Sequence, residues 1–213
     1  MTAANFQELQ EAVIDGQNKL TVKLVTQALA EGQLAGDLLN KGLTPAMEEV
    51  GRLFERGEVF IPEMMLAARA MRDGVDALRP YLKQGDVKRV GKAVISTVEG
   101  DLHDIGKNLV IIMAEGIGFE VIDLGVDVSP QRIIEALRAE KPDVLMLSAL
   151  ITSTLNSMQR TIQAVEEAGL HDQVKILVGG APVTAGFARQ IGADGYAPDA
   201  ASAARVALQV IEK

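Results

Sequence analysis

A change of rhythm near residue 84 constrains the fold more than any other feature of the chain. Up to about residue 83 the apolar positions recur only at helical spacing; from residue 90 onward, short β-branched runs alternate with helical segments. In the first part, Phe6, Leu9, Val13 and Ile14 form one stripe, and Leu20, Leu24, Val25, Ala28 and Leu29 form a second. Gly16 and Gly32 punctuate these segments, and Gly42 is expected to close a third, short one. Thr44-Pro45 predicts a helix start, since it places a capping residue before a proline in the first turn. Met47, Val50, Leu53 and Phe54 share one face of that helix, which is expected to stop near Gly57. Pro62 opens a last helix through Met65, Ala68, Met71, Val75 and Leu78 towards Tyr81. Such closely spaced segments predict an antiparallel helical bundle over residues 1–83.

Residues 84–89 are polar and read as a linker. Beyond them, Val90–Val98, Phe119–Leu124, Val144–Leu147 and Val174–Val178 read as strands, with a fifth, short one near Gly195-Tyr196. Helices are expected around 106–117, 129–140, 155–168 and 183–191, with a final one from Asp199 to Glu212. Strand–helix alternation predicts an α/β fold over residues 90–213: a five-stranded parallel sheet with helices on both faces, flavodoxin-like or dinucleotide-binding in strand order.

In open parallel sheets, ligands bind outside the carboxyl ends of the strands. The unusual residues fall there: Thr97 to Gly106 after the first strand, Ser148 to Thr154 after the third, and Gly179-Gly180 after the fourth. His103 is one of only two histidines, and a neutral imidazole is a good transition-metal ligand. Asp101, two residues away, is placed to take the proton of the other ring nitrogen, which fixes the tautomer and aims the free nitrogen. An Asp-x-His taken alone reads as readily as a helix cap beside a surface histidine. Similarly, Gly179-Gly180 alone reads as an ordinary strand-to-helix turn. His171 reads as a solvated loop residue. The absence of cysteine removes disulfides, iron–sulfur ligation and thiolate zinc sites from this chain. A net charge of −8 with no basic cluster argues against nucleic acid as a partner. No apolar run suits a membrane span or a cleavable leader, so the cytoplasm is expected.

Taken together, Asp101-x-His103-x-x-Gly106, Ser148-x-Leu150 and Gly179-Gly180, in this order, resemble the cobalamin-binding domain shared by methionine synthase, corrinoid methyl carriers and cobalamin-dependent mutases. The run Gly100-Asp101-Leu102-His103-Asp104-Ile105-Gly106-Lys107-Asn108 is similar to the methyl-carrying branch. So is the helical half, through Phe60-Ile61-Pro62-Glu63-Met64-Met65 and Ala67-Ala68.

The resemblance implies a cobalamin, methylcobalamin or a related corrinoid, bound with its own base detached and His103 on cobalt as the lower ligand. Asp101 would hold the far nitrogen of His103, and Thr154 would extend this chain to solvent. Ser148 would bond the nucleotide base and Leu150 would pack beside it. Gly106, Gly179 and Gly180 would leave room for the nucleotide tail. Leu102, Asp104, Ile105 and Thr152 complete the implied cofactor contacts. Cobalt(III) accepts an axial base and cobalt(I) sheds it, so a proton taken up along His103–Asp101–Thr154 would accompany methyl loss. Residues 1–83 would cap the cofactor's upper face, with Phe60 as the first lid candidate, Met64 and Met65 after it, and 84–89 as the hinge.

The implied function is that of a carrier component, one part of a multi-protein methyltransferase system. A substrate-specific methyltransferase would load methyl from methanol, a methylamine or an aryl methyl ether. A second would pass it to tetrahydrofolate or a thiol such as coenzyme M, and a reductive activating protein would rescue oxidised cobalt. Two rival readings share the sheet domain: the cobalamin subunit of an adenosylcobalamin-dependent mutase, and a cobalamin-sensing regulator. A third, a plain flavodoxin-like signalling domain, would leave Asp101 and His103 idle.

Overall fold

The computed structural model describes residues 3–82 and 90–211, with side chains from residue 6 onward. The expected linker at 84–89 lies outside the described residues. The chain divides into two compact units, Met1–Arg89 with Gly116–Gly118, and Val90–Glu115 with Phe119–Lys213.

The first unit is helical. It contains α1 (Ala3–Ile14), α2 (Asn18–Ala30), a short α3 (Ala35–Asp37), α4 (Thr44–Glu55) and α5 (Ile61–Leu78). Leu9 and Val13 of α1, Val25 and Ala28 of α2, Met47 and Val50 of α4, and Met64, Ala67, Met71 and Leu78 of α5 form its core. One expectation needs correction. Gly42 does not close a helix, and although α4 begins at Thr44-Pro45 as expected, Thr44 caps no free end there. Instead a π-helical turn, Leu38–Leu43, carries the chain from α3 directly into α4. The Thr44 amide reaches back five residues to the Leu39 carbonyl. Pro45 has no N–H, so a regular α-helix would leave the Lys41 carbonyl unpaired and crowd it. Here the Gln10 side-chain amide of α1 donates to that carbonyl at 2.8 Å. Gly42 serves close approach: a Cβ there would lie 2.7 Å from Cδ2 of Leu9. The last helix also starts one residue before Pro62, with Glu63 accepting a hydrogen bond from the Phe60 amide at 3.1 Å.

The second unit holds β1 (Gly91–Thr97), α6 (Ile105–Gly116), β2 (Phe119–Asp123), α7 (Pro130–Glu140), β3 (Val144–Ser148), α8 (Leu155–Glu167), β4 (Lys175–Gly179), α9 (Ala185–Gln190), β5 (Gly195–Ala197) and α10 (Ala200–Ile211). All five strands pair in parallel in the order β2-β1-β3-β4-β5, which is the flavodoxin-like order. The chain therefore turns back on itself at β1, between β2 and β3. Right-handed crossovers that run in opposite directions from that point send α6 to one face and α7 and α8 to the other. On the latter face, Ile133 and Leu137 of α7 and Met158, Ile162 and Val165 of α8 pack with Val94, Leu145, Leu147, Ile176 and Val178 of the sheet. Alternation puts Ala93, Ile95 and Thr97 on the α6 side. Val144 to Leu147 of the central β3 is buried throughout, which is why it reads as a continuous apolar run.

Candidate functional site

Beyond β1, the strand pairing continues into the loops. The Val98 amide donates to the Ser148 carbonyl at 3.0 Å, and the Ala149 amide donates to Gly179 at 3.2 Å. The segments after β1, β3 and β4 thus lie side by side at one rim, where the sequence places its unusual residues. The buried hydroxyl of Thr97 donates to the His103 carbonyl at 2.9 Å and folds the His103 loop back over the end of β1.

Asp101 is fully buried and is the hub of the rim. Its Oδ1 accepts from the His103 amide at 3.1 Å and faces Nδ1 of the His103 ring at 2.7 Å. Its Oδ2 accepts from the Leu150 amide at 2.7 Å and the Thr154 hydroxyl at 2.8 Å. Burial pushes the Asp101 carboxyl up. The bonds from the Leu150 amide, the His103 ring and amide and the Thr154 hydroxyl outweigh this and bring it to about 2, from an ordinary 3.8. An ionised carboxylate only accepts, so Nδ1 carries a proton, and the neutral ring is held as the tautomer whose lone pair is on Nε2. The ring is 51% exposed, and Nε2 bonds to no described residue. The Thr154 hydroxyl has a second acceptor, the Ile151 carbonyl, at the same 2.8 Å.

The other expected residues divide into two groups. Leu102, His103, Asp104, Ile105 and Gly106 are exposed on the rim, as are Leu150 and Thr152, while Ser148, Gly179 and Gly180 are half-buried beside them. Asp104 caps α6, with its carbonyl 2.8 Å from the Asn108 amide. The Ser148 hydroxyl bonds to no described residue. Gly106 has nothing within 4 Å of where a Cβ would stand, so the space beside it is open. Gly180 has a different reason to be glycine. Its φ is +122°, and a Cβ would stand 1.8 Å from the Ala149 carbonyl oxygen. The candidates of the helical unit do not behave alike. Phe60 is 65% exposed, but Met64 is 0% exposed. Met64 lies on the same stripe as Ala67, Met71 and Leu78, facing the core of its own unit. The expectation that it touches a ligand is therefore corrected, while its neighbour Met65 is exposed.

Sequence reasoning missed three contributors. The Leu150 amide is a backbone donor and leaves no trace in residue identity. Lys107 is buried, and its Nζ lies 2.8 Å from both oxygens of Asp123 at the end of β2 and 2.8 Å from Oδ1 of Asn108. Asp127 bonds the backbone on either side of Asp101.

The rim suits a large, flat, metal-centred ring. Among the described residues no three His, Cys, Asp or Glu side chains form a metal cage. A lone imidazole suits a metal that arrives with its other ligands already in place. Around it, Leu102 and Ile105 are 71% and 72% exposed, and Leu150 and Ile151 are exposed as well. Four large apolar side chains around one histidine make a surface that a broad cofactor would cover. The open space at Gly106 and the unengaged Ser148 hydroxyl lie beside it, where a tail could enter.

This combination of a flavodoxin-like sheet with a carboxylate-oriented histidine at its switch point defines a metallo-cofactor carrier domain. Residues 91–205 match the B12 binding domain family, and residues 6–79 match a second family described as a B12 binding domain. The chain belongs to the B12-binding corrinoid proteins, and its cofactor is cobalamin. Dimethylamine corrinoid protein 1 of Methanosarcina acetivorans is 42% identical over 208 residues, covering 97% of this chain and 97% of that protein. Trimethylamine corrinoid protein 1 of the same organism is 40% identical over 204 residues, covering 93% and 94%. Among solved structures, a cobalamin-binding protein from Desulfitobacterium hafniense superposes with a TM-score of 0.83 at 33% identity, covering 96% of this chain and 98% of that one. The methanol:cobalamin methyltransferase complex of Methanosarcina barkeri superposes at 0.86 and 30% identity, covering 100% and 81%. Among the described residues no helix is long and apolar enough to cross a membrane.

Proposed function

We infer that the chain carries a methyl group on a corrinoid between two methyltransferases, with His103 as the lower ligand to cobalt. The bound corrinoid supplies the methyl-carrying metal; the protein supplies the axial base and its orientation. One observation carries the reading: a half-exposed imidazole has its Nδ1 on a buried, ionised carboxylate and its Nε2 without a partner among the described residues. Asp101 fixes the tautomer and orients the ring. The Thr154 hydroxyl, poised between Asp101 and the Ile151 carbonyl, can pass a proton along when the ring's demand for it changes. On this reading Ser148, Gly106 and Gly179 would receive the cofactor's nucleotide tail, and Leu102, Ile105 and Leu150 would flank the ring.

The relatives at about 40% identity are named for trimethylamine and dimethylamine, so we place a methylamine first among the donors. A substrate-specific methyltransferase would load the carrier, a second would unload it to tetrahydrofolate or a thiol such as coenzyme M, and a reductive activator would restore the metal after oxidation. We place the protein in the cytoplasm, where such reducing chemistry is supported.

The test is to reconstitute the purified protein with methylcobalamin and record absorption spectra of the wild type and His103→Ala. The wild type is expected to give a base-off, histidine-bound spectrum that turns ligand-free in the variant. Failure of the wild type to retain cobalamin, or identical spectra, would remove the ligand assignment. Methyl transfer from each methylamine, with its cognate methyltransferase present, then separates the donors.

A further inference from the structure

We propose that Asp127 is a positioning residue for His103, holding the backbone of the Asp101 loop so that the Asp101 carboxylate keeps its aim on the imidazole. It makes no hydrogen bond to His103 or Thr154. Its carboxylate Oδ1 accepts from the Gly100 amide at 2.7 Å, and its own amide donates to the Asp101 carbonyl at 2.9 Å. These two bonds fix the chain on both sides of Asp101. The same stretch is stitched further along. The Val128 amide donates to the Thr97 carbonyl at 3.1 Å, and the Thr97 amide to the Gly125 carbonyl at 3.0 Å. Residues 125–128 therefore act as a splint along 97–101, continuing the β1–β2 pairing into the loops.

Asp127 is one of two described non-glycine residues with positive φ, at +53°. That conformation is disfavoured for residues with a Cβ, and Asp and Asn tolerate it best. Glycine would accept it freely but could not bond Gly100. An exposed aspartate in this conformation thus serves both needs at once: the backbone turn, and an acceptor for an amide that the turn brings close.

The inference rests on the carrier reading, but its test does not need cobalamin. In the apoprotein, at one fixed, mildly alkaline pH, nitrogen-15 NMR reports which nitrogen of His103 holds the proton and how fast that proton exchanges. The wild type is expected to show a single Nδ1–H tautomer with a slowly exchanging proton. Asp127→Gly relieves the backbone conformation and removes only the acceptor. It is expected to speed exchange about tenfold or more and to populate the Nε2–H tautomer. Asp127→Asn keeps an acceptor and the backbone preference, and is expected to stay near the wild type. A role confined to loop stability would lower the melting temperature of the Gly variant while leaving its ring signals in place; that result would overturn the proposal. So would equal loss of tautomer order in the Asn and Gly variants. On loading with cobalamin, the Gly variant is expected to show a smaller histidine-bound fraction than the Asn variant. Failure of the His103→Ala spectrum to change would strike the carrier reading alone, whatever the ring signals of the apoprotein show.

Discussion

Replacing Asp101 with Asn tests whether the hub works as a charged acceptor. The side chain hardly changes shape, but its hydrogen-bonding pattern does. Four donors converge on the carboxylate, two on each oxygen. An amide must turn its NH2 to one pair. Turned towards Leu150, it meets a backbone N–H at 2.7 Å that has no second acceptor to choose. Turned towards His103, it meets that residue's amide and forces the ring to change tautomer. The Thr154 hydroxyl alone escapes, since it can swing to Ile151. At least one buried N–H is left unpaired, at about 1–3 kcal/mol, and the charge-assisted bonds are lost as well. The expected loss in the apoprotein at neutral pH is therefore on the order of 2–4 kcal/mol by urea unfolding. The pH dependence gives a second measure. The folded state holds the Asp101 carboxyl at about 2 against an ordinary 3.8. At about 1.4 kcal/mol per power of ten, that difference is worth about 2–3 kcal/mol. Because the folded value is depressed, this stability is fully present above about pH 4 and is lost as pH falls towards about 2. Asp101→Asn has nothing to titrate there, so the wild-type and variant curves should approach each other by about 2–3 kcal/mol across that window. A variant within about 0.5 kcal/mol of the wild type at neutral pH, with a parallel acid limb, would refute the argument that the buried charge organises the rim.

Other substitutions probe separate parts of the structure. Ser96 is fully buried and its hydroxyl has no partner among the described residues, so Ser96→Ala should leave urea stability unchanged or raise it by about 1 kcal/mol; a clear loss would mean the hydroxyl is engaged. Gly180→Ala should cost about 3 kcal/mol or more, read as lost soluble yield or an early urea midpoint, because backbone must move to admit the Cβ. Lys107→Met keeps the buried stem but strands Asp123; since Asp123 is partly exposed and water can reach it, the loss by thermal melting should be only about 1–3 kcal/mol. Methylcobalamin at about a hundredfold excess over its dissociation constant should stabilise the protein by about 2.7 kcal/mol, with a smaller thermal shift in His103→Ala at the same concentration.

Much of this was legible from residue order, and the omissions share a cause. The five strands could be read because β-branched runs between helical segments have few other folds open to them; the β3 run at Val144–Ser148 is the plainest case. Periodicity was weaker at choosing between neighbours. Met64 and Met65 are adjacent on one helix, yet the first is fully buried and the second exposed, because the core stripe passes through 64, 67, 71 and 78. Glycine was misread where its job was contact and not termination: Gly42 sits under Leu9 within a continuous helical path. At the rim, Asp101 was legible as a carboxylate two residues from a histidine, and Thr154 only through the resemblance of the whole motif set. The Leu150 amide was not, since every residue but proline has one. Asp127 was hidden as well, for a left-handed aspartate in a loop looks like any other turn residue until its partners are known.

The placement of the site follows from the same topology. At β1 the strand order turns, so the loops after β1 and β3 leave the sheet towards opposite faces and open a crevice between them. Asp101 and His103 come from the first loop, the Leu150 amide and Thr154 from the second, and Asp127 from the loop after β2 on the other side of β1. The carboxylate collects two donors from its own loop and two from the loop after β3, while the Asp127 amide holds the Asp101 carbonyl. This is how a fully buried carboxylate stays ionised without a cation. It is surrounded by hydrogen-bond donors whose positions the sheet has already fixed, and little reorganisation is left to oppose the charge. The imidazole inherits that rigidity through a 2.7 Å bond to Nδ1, while the ring stays half-exposed and Nε2 has no partner among the described residues.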